Sequence, residues 1–185
     1  MVRIDDSELI PGLKILTPDV FRDHRGQYVE TFNRRDYRLE DSQGQPLDFV
    51  EDDVSRSKAG VLRGLHGDDR TWKLVQCLWG SIVLAVVDMR SDSPAYRRWQ
   101  TFELDDENRQ QVLIPAGCAN GHAAISDCLF GYKQSAYHRG AEHQFTVRWN
   151  DPAIGIDWPL EPAALDQLVL SERDANAPLL PASNP

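Results

Sequence analysis

The stretch between residues 49 and 148 consists of short apolar or alternating runs separated by Gly, Pro, Asp and Asn. Such runs, at spacings of roughly 8 to 12 residues, are typical of a sandwich or barrel of antiparallel strands. Amphipathic helices of about 12 residues, which would indicate alternating strands and helices, do not interrupt them. The predicted strands are 49–57, 61–66, 72–78, 81–88, 99–104, 111–114, 121–126, 128–137 and 145–148. The sequence therefore predicts an all-β fold.

The run 81–88 is apolar at both alternate sets of positions, which predicts a central strand buried on both faces. The dipeptide Trp79-Gly80 predicts a short turn that joins it to the preceding strand. A further short strand is predicted from Leu13 to Leu16, and Asn33 is expected to cap a short helix over 34–40. We expect one domain over residues 1–185, with tails at about 1–9, as a tail or an edge strand, and 180–185.

Charge and cysteine content restrict the possible partners. The chain has a formal net charge of -9, which disfavours a nucleic acid or an anionic membrane but leaves room for a small anionic ligand held by clustered arginines. Its 3 cysteines form no CxxC motif and no secretory leader is visible, so unpaired thiols and a cytoplasmic location are expected. No apolar run reaches the ~18 residues that a membrane helix needs.

The sequence VLRGLHG, with Lys73 shortly after it, is the strongest candidate for chemistry. Glycines beside His66 would let a substrate approach the backbone, and an imidazole suits proton transfer near neutral pH. Arg63 and His66 are three residues apart, so a regular strand would point them to opposite faces. Either a bulge at Gly64 re-aims one of them, or the two side chains serve different surfaces.

Several blocks of the chain, in order, resemble one family. FRDHRGQYVETF, FVEDDVSRSKAGVLRGLHG, KLVQCLWGSIVLAVVDMR, IPAGCANGH, YKQSAY, WNDPAIGIDWP and LSERDANAPLL are similar to the dTDP-4-dehydrorhamnose 3,5-epimerase family, from about Gly12 to about Leu180. The resemblance implies a cupin-type jelly-roll antiparallel barrel with short peripheral helices. It also implies a homodimer with strand exchange, no metal or organic cofactor, and a role in surface polysaccharide or deoxysugar biosynthesis.

The resemblance further implies epimerisation of a nucleotide-diphosphate-linked 4-keto sugar at carbon 3, carbon 5 or both. A base removes a proton beside the ketone, and an acid returns one to the opposite face. By their motifs, His66 resembles the base and Tyr132 the acid. Asp174 resembles the partner that orients His66, and Lys73 resembles the cation beside the enolate oxygen.

The expected substrate-binding residues combine matches to the family with three departures from it. Among the matches, Arg25 is expected to come from the partner subunit. There are three departures. Glu51 and Asp53 are carboxylates where the family usually has amides. Asn120 stands where the family usually has a histidine, with His122 two residues later, and His138 stands where a tyrosine is usual. The blocks HGDDRTWKL and PAGCANGH together resemble a branch of the family that acts on GDP-linked 4-keto-heptoses. The full set is Arg25, Glu30, Glu51, Asp53, Arg63, Asn120, His122, His138 and Arg173.

Two other function classes remain open. A non-catalytic cupin would bind a sugar nucleotide without exchanging its hydrogens with solvent. A metal-dependent cupin enzyme could hold a cation between His66, His122 and Asp68, because imidazole and carboxylate suit iron or zinc.

Overall fold

The structure, a computed structural model, describes residues 1–181 as antiparallel strands with a few short helical turns; residues 182–185, within the predicted C-terminal tail, lie outside the described part. The strands are β1 (Val2–Asp6), β2 (Lys14–Pro18), β3 (Val20–Asp23), β4 (Gly26–Val29), β5 (Glu51–Ser57), β6 (Leu62–Gly67), β7 (Lys73–Trp79), β8 (Ser81–Asp88), β9 (Trp99–Asp105), β10 (Gln111–Ile114), β11 (Cys118–Ala124), β12 (Cys128–Gln134) and β13 (Phe145–Thr146). The helical turns are a 3₁₀ turn (Ala141–His143), α1 (Pro162–Leu165) and α2 (Glu172–Ala175). Within residues 1–181 none of these is long enough to cross a membrane.

Two sheets form the body of the fold. The six-stranded sheet has the order β1-β2-β10-β7-β12-β5, and the five-stranded sheet has the order β13-β6-β11-β8-β9. Strands β3 and β4 form a separate hairpin. The prediction of an all-β cupin-type jelly roll is confirmed, with the two sheets facing each other as a sandwich whose edges remain open.

Apolar side chains pack in three layers, which explains why strand β8 reads as apolar throughout. Its residues Ile82, Leu84 and Val86 pack between the sheets, whereas Val83 and Val87 face outward. The outward set is covered by the segment after β13, which contributes apolar side chains between residues 147 and 180. The outer face of the six-stranded sheet is covered in the same way by residues from 32 to 49. Strand β8 is therefore an interior strand, as predicted.

The predicted short turn at Trp79-Gly80 is present, but the two strands that it joins do not pair with each other. Strands β7 and β8 belong to different sheets, so the chain crosses from one face of the sandwich to the other at this point. Gly80 has a φ of 81°, and a Cβ there would lie 2.1 Å from the carbonyl oxygen of Asp127. The glycine is needed for a sharp change of sheet, where only a residue without a side chain fits.

The helix predicted over 34–40 does not form, so this prediction is wrong, although the cap at Asn33 is present. The side chain of Asn33 accepts a hydrogen bond from the backbone of Arg35, and its carbonyl accepts one from Tyr37, but only a single turn forms. Tyr37 and Leu39 are both buried on the six-stranded sheet. Residues two apart share a face in extended chain and not in a helix, so their joint burial favours the extended course.

Smaller differences concern the ends of elements and the termini. Val2–Asp6 pairs with β2 as an edge strand, which is the second of the two predicted possibilities. Strand β11 begins three residues earlier than predicted, at Cys118, whereas β12 ends at Gln134 and β13 covers only two residues. The three cysteines are buried and free, as predicted.

Candidate functional site

A bulge in strand β6 brings Arg63 and His66 to the same side. On β11 their partners are His122 and Asn120, so three steps along β6 face two steps along β11. Gly64 lies inside the bulge with a φ of 121°, and a Cβ there would lie 2.6 Å from the Cα of Gly121. Of the two arrangements considered for this motif, the bulge is the one that forms.

Both side chains face a cavity of about 630 Å³ that lies between the sheets and is closed on one side by residues 169–174. This volume is in the range of small-molecule sites. Eleven of the predicted site residues line it, so the sequence motifs converge on one place. They are Glu51, Asp53, Arg63, His66, Lys73, Asn120, His122, Tyr132, His138, Arg173 and Asp174.

His66 and Asp174 form a short hydrogen bond across 108 residues of chain. The Nε2 of His66 donates to the carboxylate of Asp174 over 2.6 Å. Asp174 is 3% exposed and also accepts from the backbone N–H of Gly64, while Ser171 caps α2 through the backbone N–H of Asp174. Burial by itself would raise the pKa of Asp174, but the hydrogen bond and charge of His66 hold that pKa below its ordinary value. The pair resembles the oriented histidine of acid–base catalysts.

Lys73 is a buried cation near this pair. Its side chain lines the cavity with 8% exposure, and its Nζ lies 3.4 Å from the Oδ1 of Asn120, the β11 residue opposite His66. Burial and the charge of Arg173 lower the pKa of Lys73, while Asp68 opposes this. A cation with little solvent around it suits a site where negative charge develops.

Tyr132 projects from the six-stranded sheet into the same cavity. Burial, followed by the carboxylates of Asp53 and Glu51, raises the pKa of its phenol, so the group stays protonated. Its ring lies 5.7 Å from that of Phe130, which fixes its orientation. A protonated phenol and a carboxylate-paired imidazole therefore line one cavity from opposite sheets, which suits proton exchange at a carbon between them.

Arg63 and Arg173 supply positive charge that has no carboxylate partner within residues 1–181. Arg63 donates to the hydroxyl of Ser57 and the carbonyl of Arg56. Arg173 donates to Thr146, to Gln144 and to a backbone carbonyl. Neutral acceptors orient a guanidinium without neutralising it, so both groups are available to an anion such as a phosphate.

Comparison with known proteins agrees with this geometry. The family model for dTDP-4-dehydrorhamnose 3,5-epimerase matches residues 7–182. The chain belongs to the dTDP-4-dehydrorhamnose 3,5-epimerase family. The predicted family is therefore confirmed, and with it the class of enzyme, an isomerase.

Relatives within the epimerase family are similar over nearly the whole chain. The dTDP-4-dehydrorhamnose 3,5-epimerase of Methanothermobacter thermautotrophicus is 42% identical over 90% of this chain and 89% of its own length. The Legionella pneumophila enzyme, solved in complex with dTDP-4-keto-L-rhamnose, has a TM-score of 0.86 and 37% identity over 97% of this chain and 93% of that one. ChmJ from Streptomyces bikiniensis, a 3'-monoepimerase solved with dTDP-quinovose, has a TM-score of 0.82 and 29% identity over 92% of this chain and 84% of that one. The family thus includes enzymes named for one and for two epimerised positions.

The carboxylates of Glu51 and Asp53 lie side by side on strand β5 and line the cavity. The side-chain amide of Gln134 donates to both Glu51 and Asp53, at 2.8 Å each, and the backbone of His138 donates to Glu51. Burial raises the pKa of Asp53, and nearby Glu51 adds to this, while Gln134 opposes it. Each carboxylate has more acceptor sites than these hydrogen bonds use, so it can also accept from a ligand in the cavity.

Arg25 and Glu30 lie outside the cavity lining of this single chain. Arg25 is at the tip of the β3–β4 hairpin, where it pairs with Asp23, and Glu30 accepts from Asn33. Neither residue contacts the cavity in the single chain, so their expected roles in substrate binding stay predictions.

Several supporting residues of the epimerase site were missed from the sequence. Gln134 lies two residues after Tyr132 and so shares its strand face, a signal that could have found it. Ser171, three residues before Asp174, forms the start of a short helix, which a cap motif indicates. Gln144 and Thr146, which hold Arg173, lie in a segment with no recognisable pattern.

The alternative cation site at His66, His122 and Asp68 is not formed. Asp68 is outside the cavity lining and accepts from the backbone of Arg70 and Thr71. Over residues 1–181 no three His, Cys, Asp or Glu side chains gather closely enough to hold a metal ion.

Proposed function

We propose that this chain epimerises a nucleotide-diphosphate-linked 4-keto-6-deoxy sugar at carbon 3, carbon 5 or both. The observation that supports this most directly is the pairing of His66 with Asp174 in a cavity that Tyr132 lines from the opposite sheet. The Legionella relative was solved with a 4-keto sugar attached to a nucleotide, which agrees with this choice of substrate.

In the proposed reaction His66 is the base. Because Nε2 is bonded to Asp174, the nitrogen that accepts the proton is Nδ1, and the carboxylate stabilises the imidazolium that results. The C–H bonds beside the ketone are acidic, and loss of a proton places negative charge on the ketone oxygen. Lys73 would stabilise that enolate, and Tyr132 would return a proton to the opposite face of the carbon.

The diphosphate is proposed to bind the unpaired guanidinium groups of Arg63 and Arg173. In the proposed homodimer the β3–β4 hairpin of the partner adds Arg25. Phe21 and Tyr28 on this hairpin are exposed in the single chain, so a second copy could cover them. Measuring the molar mass of the purified protein by light scattering tests the dimer.

The test of the proposed reaction is incubation with a nucleotide-linked 4-keto sugar in deuterated water. An epimerase incorporates solvent deuterium at carbon 3 or carbon 5, and the position identifies the carbon that reacts. A non-catalytic sugar-nucleotide-binding cupin would bind the substrate and incorporate no deuterium, and that outcome would reject the proposal.

Replacing Tyr132 with Phe should separate proton removal from inversion. We expect Tyr132→Phe to retain deuterium exchange while the yield of inverted product falls by about 10²-fold or more, because the base still acts and the opposite-face acid is missing. Nuclear magnetic resonance of the product measures both quantities. Tyr137→Phe, at an exposed tyrosine outside the cavity lining, is the matched control. Equal loss of exchange and inversion would contradict the assignment of Tyr132 as the acid.

The carboxylates Glu51 and Asp53 favour a guanine nucleotide within this proposal, with a 4-keto-heptose as the sugar. Guanine presents adjacent N–H donors on one edge, whereas thymine presents one, and paired acceptors suit the former. We expect GDP to bind more tightly than dTDP, and Glu51→Gln combined with Asp53→Asn to reduce that preference about tenfold. Calorimetric titration with each nucleotide measures this. Asp52→Asn is the control, since Asp52 is exposed on the other face of β5. A preference of the unmodified protein for dTDP would reject the guanine assignment.

A further inference from the structure

His122 is a second histidine of the cavity, and its surroundings differ from those of His66. It is 3% exposed, and no residue among 1–181 forms a hydrogen bond with its Nε2. Burial, with the charge of Arg63, lowers its pKa to about 3. Whereas the imidazole of His66 is paired with a carboxylate, that of His122 stays neutral throughout the physiological range.

The packing of His122 makes its ring a fixed part of the cavity wall. It stacks on Phe130 with ring centroids 4.3 Å apart and an interplanar angle of 28°. Phe130 in turn contacts Tyr132, so a row of three rings runs from the five-stranded sheet to the proposed acid. Phenylalanine would stack equally well at this position, which means that packing alone does not explain a polar ring here.

An unpartnered buried nitrogen destabilises a fold unless something satisfies it. The loss is of the order of a hydrogen bond, and a bound ligand that supplies a partner recovers it. In a neutral ring Nε2 either donates or accepts, depending on which nitrogen carries the hydrogen. A hydroxyl group can accept from Nε2 or donate to it, so it is a complementary partner in either tautomer.

The position of His122 along strand β11 indicates which hydroxyl. It lies two residues from Asn120, the residue opposite His66, and two residues of strand span about 6.6 Å. This distance is comparable to the width of one sugar ring, so a ring that reaches the proposed reaction centre also reaches His122. In a 4-keto-6-deoxy sugar, carbons 3 and 5 are the reacting carbons, so the ring hydroxyl that is not attached to either is on carbon 2.

We propose that His122 is a specificity-determining residue whose unpartnered ring nitrogen binds the carbon 2 hydroxyl of the sugar. The proposal rests on the epimerase function proposed above and adds a requirement to it. A sugar without this hydroxyl leaves the buried nitrogen unsatisfied and is discriminated against. The rival partner is a phosphate oxygen, because Arg63 is the β6 residue opposite His122.

The test compares the unmodified protein with His122→Phe, using the 4-keto substrate and its 2-deoxy analogue. We expect the unmodified protein to exchange deuterium into the substrate about tenfold more efficiently, in kcat/KM, than into the analogue, and His122→Phe to lose this difference. His122→Gln, which keeps donor and acceptor, should restore part of it. The difference in kcat/KM between the substrate and its 2-deoxy analogue should not change with pH between 5 and 9, since the imidazole of His122 does not titrate there.

The possible outcomes distinguish the role of His122 from the epimerase proposal itself. Absence of exchange by the unmodified protein would reject the epimerase proposal itself. Exchange with the same selectivity in His122→Phe would overturn the role of His122 alone. Weaker binding of the bare nucleoside diphosphate by His122→Phe would also overturn it, by assigning the nitrogen to phosphate. We expect thermal unfolding of His122→Phe at the same or a higher temperature than the unmodified protein, because an unpaired buried polar group has been removed.

Discussion

Replacing His66 with Asn is expected to abolish the incorporation of solvent deuterium into a 4-keto sugar nucleotide. Both epimerisations begin with removal of a proton, and the His66 imidazole, paired with Asp174 at 2.6 Å, is the proposed base for that step. Loss of a general base costs about 10²–10⁴-fold in rate, which takes exchange to background. The measurement is the deuterium content of recovered substrate and product, followed by nuclear magnetic resonance.

His66→Asn should fold and bind nucleotide like the unmodified protein. The carboxylate of Asp174 keeps a donor in the backbone N–H of Gly64, so it is not left wholly without a partner. His143→Asn is the matched control, because His143 is half exposed and outside the cavity lining. Substantial exchange in a folded His66→Asn protein would mean that another group is the base.

Replacing Asp174 with Asn is expected to reduce exchange by about 10²–10⁴-fold with little change in nucleotide binding. An amide has the shape of the carboxylate but no charge, so it neither stabilises the imidazolium nor fixes the tautomer in which Nδ1 accepts the proton. The rate of exchange at saturating substrate is the quantity to compare. Asp166→Asn, at an exposed position in the same segment, is the control.

Unfolding measurements provide a second test of the Asp174 pair. The pKa of Asp174 is lowered in the folded protein, so the carboxylate contributes stability above the ordinary aspartate pKa of about 3.9 and loses it as the pH falls through the lowered value. We therefore expect Asp174→Asn to be less stable than the unmodified protein at neutral pH and the difference to shrink in acid. A difference in unfolding free energy that is constant with pH would show that Asp174 carries no such charge-dependent role.

The sequence predicted the strands and most of the cavity because both depend on local patterns. A run that is apolar at both alternate sets of positions identified β8. The spacing of Arg63 and His66 indicated either a bulge at Gly64 or two separate surfaces, and the bulge is the arrangement that forms. The resemblance then assigned side chains far apart in the chain to a single site. Eleven of those side chains line one cavity, and their individual roles stay predictions.

The features that the sequence did not reveal depend on tertiary packing. The predicted turn at Trp79-Gly80 is present, but packing of the two sheets makes it a crossing between them. Asn33 is a good helix cap, but burial of Tyr37 and Leu39 ends the helix after one turn. The environment of His122 was equally hidden, because the sequence alone does not show the burial that, with the charge of Arg63, lowers the pKa of its imidazole.

The contact between His66 and Asp174 has a consequence for the chain as it leaves the ribosome. Both sheets are complete once Thr146 has been made, yet the carboxylate follows 28 positions later, 174 − 146. A polypeptide ending between these points would contain every strand of both sheets. It would lack both the carboxylate and much of the apolar cover of the five-stranded sheet. The partner of the proposed base and the outer layer of the fold are therefore supplied by one segment, so that pairing at the cavity and closure of the core are expected to form together.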